Sequence, residues 1–158
     1  MLPTRILWVD DEINHLKPHI LFLENKGFMV STCTNGLDAV EYVEKNKIDI
    51  VLLDENMPGL NGIETIDKIK GYDSKIPIVM VTKNEEEKIM EDAIGRKITD
   101  YLIKPVNPNQ ILLSLKKILK TKNLIEEKII ESYQKEYIKI SNSIQDIKSN
   151  EDWISFYK

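Results

Sequence analysis

The chain has 158 residues, 42% of them hydrophobic and 30% charged, which is enough for one well-buried core with a small extension. Its net charge of -4 argues against a nucleic-acid-binding surface built on bulk positive potential. The single cysteine, Cys33, excludes an internal disulfide, no signal-peptide pattern precedes the first acids, and no apolar run approaches the roughly 18 residues of a membrane span. These features predict a cytoplasmic protein that does not insert into membranes.

Short apolar stretches alternate with amphipathic stretches over most of the chain. The spacing predicts five strands, at 5–9, 28–33, 49–54, 76–82 and 99–103. It predicts helices between and after them, at 12–26, 37–47, 62–70, 84–94 and 107–121. Strands that alternate with helices through short loops predict an α/β fold with a five-stranded all-parallel sheet covered on both faces. Ligands of such sheets bind at the carboxyl ends of the strands.

Polar side chains follow the predicted strands at this edge: Asp10, Asp11 and Glu12, then Asp54, Thr82 and Lys104. Carboxylates within about 5 Å of one another repel by roughly 3 kcal/mol per pair at an effective dielectric near 20, so we expect a divalent cation there. Oxygen ligands favour Mg2+, with Mn2+ as an alternative, over zinc. Thr82 and Lys104 supply the hydroxyl and ammonium that a transferred phosphoryl group needs, and Asp54 is the candidate nucleophile.

Four motifs stand in order at the predicted strand ends: ILWVDDE, LLDENMPGLNG, IVMVT and DYLIKP. Through them, residues 4–121 resemble a response-regulator receiver domain, the CheY-like phosphoacceptor of two-component signalling, which has a flavodoxin-like (βα)5 fold. The resemblance implies that Asp54 accepts a phosphoryl group from a sensor histidine kinase. It also implies that Asp10, Asp11 and Asp54 bind Mg2+ together with the backbone carbonyl of Asn56.

The same resemblance assigns roles at the fourth and fifth strands. Thr82 and Lys104 contact the phosphoryl oxygens in receivers, and the peptide between Lys104 and Pro105 is typically cis. Tyr101 occupies the family's switch position. Taken alone, an Asp pair or a threonine before a helix is often only an N-cap, and an aromatic residue near a strand end is often only core packing.

The chain also departs from the family pattern. Lys97 and Ile98 stand where receivers usually carry Gly-Ala, and Lys83 follows Thr82 where many receivers have a small residue. Lys83 either narrows access to the phosphoryl group or adds a positive charge beside it. His15 and His19 lie one helical turn apart, but no carboxylate or cysteine joins them at a suitable spacing, so we predict no metal site there.

Residues 122–158 form a second predicted unit, a helical extension without proline or glycine. The last receiver helix either continues into it as one rod or breaks near 121–123. A second copy of the chain, in a coiled coil, or a later domain is needed to cover its apolar stripe. The last residues, from Asn150, predict a separate capped helix with four large side chains that need cover, as expected of a truncated chain: Trp153, Ile154, Phe156 and Tyr157. The apolar stripe itself consists of residues 125, 129, 133, 137, 140, 144 and 147.

The whole sequence, including LKPHILFLENKGF and the DWISFYK end, resembles the N-terminal part of a response-regulator family of the Bacteroidetes associated with type IX secretion. This resemblance implies a helical-bundle linker that leads to an alkaline-phosphatase-like effector domain outside this chain. Phosphorylation by the system's histidine kinase would then act through dimerisation. The receiver would catalyse only its own phosphorylation and dephosphorylation.

Two other functions compete with this interpretation. A stand-alone phosphorelay shuttle would need no effector domain, and its tail would serve only to form a dimer. A haloacid-dehalogenase-type phosphatase also uses an aspartate after a buried strand, but it needs a second acid two residues on, and Asn56 stands there.

Overall fold

The structure is a computed structural model that describes residues 2–156, with side chains described as far as Asn150. Its strands are β1 (Arg5–Val9), β2 (Met29–Cys33), β3 (Ile50–Leu53), β4 (Ile78–Thr82) and β5 (Asp100–Ile103). Its helices are α1 (Lys17–Asn25), α2 (Gly36–Lys45), α3 (Gly62–Tyr72), α4 (Glu87–Gly95) and α5 (Pro108–Phe156), with a short 3-10 helix at Ile13–Leu16 before α1. All strand pairs are parallel, in the order β2-β1-β3-β4-β5. The predicted fold class is therefore confirmed.

The three central strands are buried on both faces because helices cover both sides of the sheet. Every residue of β3 and β4 is buried, whereas β2 and β5 at the edges are only partly covered. This explains why the central strands have continuous apolar sequences without polar alternation. Val9 of β1 pairs in register with Leu53 of β3, so the residues that follow these two strands emerge side by side.

Two helices begin three or more residues later than predicted, each for a local reason. Pro18 lies in the first turn of α1, where a missing N–H does no harm, so α1 begins at Lys17 and not at Glu12. The α4 helix begins at Glu87 because Asn84 forms a turn first: its side-chain oxygen accepts a hydrogen bond from the Glu86 amide at 3.0 Å.

The connection from α4 to β5 contains a residue in the left-handed region. Lys97 has φ +61°, and its amide donates to the Ile94 carbonyl at 2.9 Å. The resemblance to receivers implies glycine at this position, and the positive φ of Lys97 costs free energy that glycine would not.

The chain divides into two compact units between Ile118 and Leu119. The second unit is helical, because α5 continues without a break to Phe156. The predicted separate helix from Asn150 is therefore wrong, and of the two alternatives at 121–123 the continuous helix is present. The side chains of Trp153, Ile154 and Phe156, and all of Tyr157, lie outside the described residues. No described helix is long and apolar enough to cross a membrane.

Replacing Lys97 by glycine tests the strain in the α4–β5 connection. We expect Lys97→Gly to raise the free energy of unfolding by about 1 kcal/mol, because glycine removes the steric cost of the positive φ. Urea denaturation at constant pH measures the change. Lys97→Ala is the matched control, since it removes the same charge but keeps a Cβ, and it should bring no comparable gain. Equal stabilisation by both variants would contradict the backbone explanation.

Candidate functional site

Three carboxylates converge at the carboxyl edge of the sheet. Asp10 follows β1, Asp54 follows the neighbouring β3, and the Asp54 amide donates to the Val9 carbonyl at 3.0 Å. Asp11 is one residue further along the chain. One carboxylate oxygen from each of these three acids lies within 4.8 Å of the other two. The register of the two central strands thus produces the acidic cluster that the sequence predicted.

The cluster is open to solvent on one side only. Asp10 is fully buried and Asp54 is 6% exposed, whereas Asp11 is exposed. Two buried carboxylates this close repel each other strongly, because little water screens them. The site is therefore electrostatically unfavourable unless positive charge compensates it.

Lys104, which follows β5, supplies part of that charge. Its ammonium donates a hydrogen bond to Asp10 Oδ2 and lies 3.4 Å from Asp54 Oδ2, and the side chain is only 10% exposed. Burial lowers the pKa of Lys104, but the hydrogen bond to Asp10 and the charges of both carboxylates outweigh this effect, so its pKa is raised overall. Lys104 therefore stays protonated. Its peptide bond to Pro105 is cis.

Short turns orient the two buried acids. Asp10 Oδ1 accepts a hydrogen bond from the Glu12 amide at 2.8 Å, and Asp54 Oδ1 accepts one from the Asn56 amide at 3.3 Å. In each case the second carboxylate oxygen is the one that faces Lys104. Asn56 itself is exposed, directly beside the acidic cluster.

Thr82 and Tyr101 are linked through the loop after β4. Thr82 is fully buried at the end of β4, and its Oγ1 accepts a hydrogen bond from the Asn84 amide at 3.2 Å. The half-buried Tyr101 donates from its hydroxyl to the Asn84 carbonyl at 2.7 Å. Asn84 is therefore hydrogen-bonded to both Thr82 and Tyr101.

Two other side chains singled out in the sequence make contacts of their own. Lys83 lies 3.8 Å from Glu12 Oε2, in an exposed ion pair of the kind that contributes at most about 1 kcal/mol. His19 makes a hydrogen bond of 2.8 Å between its Nε2 and the Val106 carbonyl, and it packs edge-on against Trp8. His19 thus joins α1 to the segment that follows β5.

Glu55 is a buried acid to which the sequence analysis gave no role. It is 4% exposed, and its Oε2 accepts a hydrogen bond from the Ile63 amide at 2.9 Å. The sequence contains one indication of it, since Glu55 is the second of two consecutive acids that follow a buried strand. Its burial was not predictable, because the loop after β3 has no regular alternation that would show which side chains turn inward.

The donor set fits a hard divalent cation. Three carboxylates offer oxygen ligands, two of them fixed by burial, and no histidine or cysteine in the described part of the chain joins them. Mg2+ prefers such oxygen ligands and usually keeps several waters and a phosphate oxygen as its other ligands.

The sheet order and the acidic cluster at its carboxyl edge define a flavodoxin-like, CheY-like domain. The chain belongs to the response regulator receiver domain family, whose sequence profile matches residues 6–116. The resemblance to receivers drawn from the four motifs is thereby confirmed, and the chain is a two-component response-regulator receiver followed by a helix.

Curated relatives agree with this assignment. The chain is 34% identical over 127 residues to the transcriptional regulatory protein ZraR of Klebsiella oxytoca, a match that covers 80% of this chain and 29% of ZraR. It is 35% identical over 119 residues to a CpxR homolog, a transcriptional regulatory protein of Haemophilus influenzae, over 74% of this chain and 51% of that protein. The chain thus spans about half the length, or less, of these relatives.

A solved structure with 27% sequence identity shares the fold. It is the response regulator TrrA of Thermotoga maritima in complex with Mg2+ and beryllofluoride, with a TM-score of 0.66 over 73% of this chain and 98% of that one. This likeness supports the assignment of the fold independently of the motifs.

The burial of Glu55 predicts a pH-dependent stability difference. Burial raises the pKa of Glu55, the hydrogen bond from Ile63 lowers it, and the charge of Asp54 raises it again, with a net increase. A carboxyl whose pKa is raised by folding stabilises the fold when it is protonated, and this contribution is lost as the pH rises.

Glu55→Gln should therefore unfold at higher urea concentration than the wild type at pH 7, with the difference shrinking toward zero below about pH 4. Urea titrations across this pH range measure it. Glu91→Gln, which changes an exposed carboxylate on α4 that does not contribute to the raised pKa of Glu55, is the control and should show no such trend. A difference for Glu55→Gln that is constant with pH would refute the explanation.

Proposed function

We propose that Asp54 is the phosphoacceptor of this receiver and that a sensor histidine kinase is the donor. The observation that supports it is the buried pair of Asp10 and Asp54 held between an exposed third acid and Lys104. An Asp54 carboxylate oxygen would attack the phosphorus of a phosphohistidine, forming a P–O bond as the P–N bond breaks. The imidazole leaves and takes up a proton.

The acidic cluster would hold the metal ion for this transfer. Asp10, Asp11 and Asp54 are its proposed side-chain ligands, with the backbone carbonyl of Asn56 as a fourth. Mg2+, or Mn2+ in its place, would offset the negative charge of the phosphoryl oxygens. The comparison with TrrA, which was solved with Mg2+ and beryllofluoride, supports Mg2+ for this chain.

Lys104 and Thr82 have proposed roles on the phosphorylated side chain. Lys104 already lies 3.4 Å from Asp54, so its ammonium needs only a small movement to bind a phosphoryl oxygen. Thr82 would bind a second oxygen through its hydroxyl. Its hydrogen bond with Asn84 would then change, and the Asn84 carbonyl, which Tyr101 holds, would carry the change to the surface. Tyr101 is thus the proposed switch residue.

We further propose that the chain is the N-terminal part of a PorX-like regulator of type IX secretion, acting in the cytoplasm with a PorY-like histidine kinase. Two features support this proposal: the resemblance along the whole sequence, and an α5 helix that continues far beyond the receiver. Domains 4–121 and 122–158 would be the receiver and the start of a helical-bundle linker. The metal ligands of an alkaline-phosphatase-like effector would lie outside this chain.

Homodimerisation is the proposed first output of phosphorylation. The helical extension exposes large apolar side chains over its described length, many of them about half exposed or more. Apolar surface of this extent usually marks an interface. The alternative is a stand-alone phosphorelay shuttle, in which the same helix only forms a dimer and no effector follows.

Asp54→Asn tests the phosphoacceptor. It should abolish Mg2+-dependent labelling by a phosphorylated histidine kinase or by acetyl phosphate, because an amide oxygen is too weak a nucleophile to replace the carboxylate. Labelling stoichiometry measured by intact-protein mass spectrometry gives the result. Asp146→Asn, an exposed acid on α5, is the control and should label fully. Unchanged labelling of Asp54→Asn would disprove the assignment.

Substitutions in the apolar stripe of α5 test the proposed dimer. With Mg2+ and beryllofluoride, light scattering should show the wild type shifting from monomer to dimer, and Ile129→Glu with Ile144→Glu should keep it monomeric. The two isoleucines lie on one helix face, and buried charges there would be unpaired. Asn142→Glu with Gln145→Glu, on the opposite face, is the matched control. A dimer that survives both pairs of changes would place the contact on the receiver unit.

A further inference from the structure

We infer that Glu55 is a positioning residue that fixes the phosphoacceptor loop against the first turn of α3. This inference rests on the proposed function, since it concerns how the chain holds Asp54 and Asn56 ready for the metal ion. Glu55 lies between these two residues in the sequence, and its side chain is buried although it carries a carboxylate.

Glu55 binds α3 through both its main chain and its side chain. Its carbonyl oxygen accepts a hydrogen bond from the Gly62 amide at 3.0 Å, and its Oε2 accepts one from the Ile63 amide at 2.9 Å. These are the first two residues of α3, whose amides have no partner within the helix. One residue thus joins both ends of the loop that follows the phosphoacceptor.

The packing at Gly62 leaves the loop no room to shift toward the helix. A Cβ on Gly62 would lie 2.7 Å from the Asp54 carbonyl oxygen, 2.7 Å from Glu55 Oε2 and 2.8 Å from Glu55 Cα. The start of α3 therefore touches the backbone of the phosphoacceptor itself. Because α3 is anchored in the core by the buried Ile66 and Ile69, it is a rigid reference for the loop.

The metal ligands depend on this contact through the next residue. Asn56 directly follows Glu55, its carbonyl is a proposed ligand, and its amide donates to Asp54 Oδ1 at 3.3 Å. If the Glu55 contact is lost, Asp54 and Asn56 can both move. Residues that orient metal ligands typically change metal affinity 10- to 100-fold when they are replaced.

A purely stabilising role for Glu55 is the competing explanation, because a carboxylate at a helix N-terminus is favourable wherever it occurs. However, α3 already has a complete capping box, in which Asn61 accepts a hydrogen bond from the Glu64 amide at 2.8 Å and Glu64 accepts one from the Asn61 amide at 3.4 Å. The helix is therefore capped without Glu55. What Glu55 adds is a link to the phosphoacceptor.

Two substitutions distinguish the effect of the length of the Glu55 side chain from the effect of its charge. Glu55→Gln keeps the length and an oxygen that can accept the Ile63 hydrogen bond, but it removes the charge. Glu55→Asp keeps the charge, but it is one methylene too short to reach. The experiment measures Mg2+ binding to the full chain by isothermal titration calorimetry, with labelling by acetyl phosphate as a second readout. We expect at least a tenfold weaker Mg2+ affinity for Glu55→Asp and a change within about threefold for Glu55→Gln.

Glu64→Ala is the matched control, because it breaks the capping box at the same helix end without touching Asp54 or Asn56. It should lower stability yet keep Mg2+ affinity within about twofold. Circular dichroism verifies the fold of each variant, and Glu55→Ala replaces Glu55→Asp if the latter does not fold. Wild-type affinity in the shortened variant, or a tenfold loss in Glu55→Gln, overturns the inference. A wild-type chain that neither binds Mg2+ nor accepts phosphate would instead overturn the proposed function.

Discussion

The structure depends on one electrostatic conflict, two buried carboxylates that face the same space at the end of the central strands. Asp10 and Asp54 are shielded from water, and Lys104 bridges them from the neighbouring part of the sheet. Burying one cation against two anions leaves excess negative charge with little screening. This excess is the physical basis of the proposal that the site binds a divalent cation and, with that cation, a phosphoryl group.

A charge arrangement of this kind persists only on a rigid support. The central strands are buried on both faces and paired in parallel, so the acids cannot separate without breaking ladder hydrogen bonds or exposing core side chains. Other parts of the domain also hold polar residues in fixed positions near the two acids. Thr82 and Lys104 follow the adjacent strands β4 and β5, whose last residues, Thr82 and Ile103, are paired in register. Glu55 and Gly62 connect the loop that begins at Asp54 to a helix that is anchored in the core.

Signalling requires a part of the molecule that can change, and the contacts suggest where it lies. In the loop after β4, the main chain of Asn84 makes two hydrogen bonds, one to Thr82, the residue proposed to bind phosphate, and one from the Tyr101 hydroxyl. By contrast, the loop after β3 is fixed at both ends. The proposed phosphoacceptor is thus joined to α3, whereas the proposed switch residue, Tyr101, is joined to Thr82 through Asn84. The long α5 helix, with its exposed apolar side chains, is the proposed surface through which two phosphorylated chains form a dimer.

The sequence by itself determined the fold class, the order of strands and helices along the chain and the set of polar residues at the carboxyl edge. The sequence is informative here because buried parallel strands have continuous apolar sequences and because ligand-binding side chains lie at the carboxyl ends of such strands. Local chemistry that the pattern analysis passed over, such as Pro18 in the first turn of α1, shifted only the helix boundaries.

The tertiary structure alone decided that Lys104 contacts both acids, that Lys97 adopts a left-handed conformation, that Glu55 is buried against α3, and that α5 has no break at 121–123. The contacts of Lys104 and Glu55 depend on which residues from distant parts of the chain meet in space, whereas the conformation of Lys97 and the continuity of α5 are backbone features that the apolar pattern leaves open. The spacing of apolar residues shows which face of a single helix or strand is buried, but it does not show which residues of other elements that face contacts.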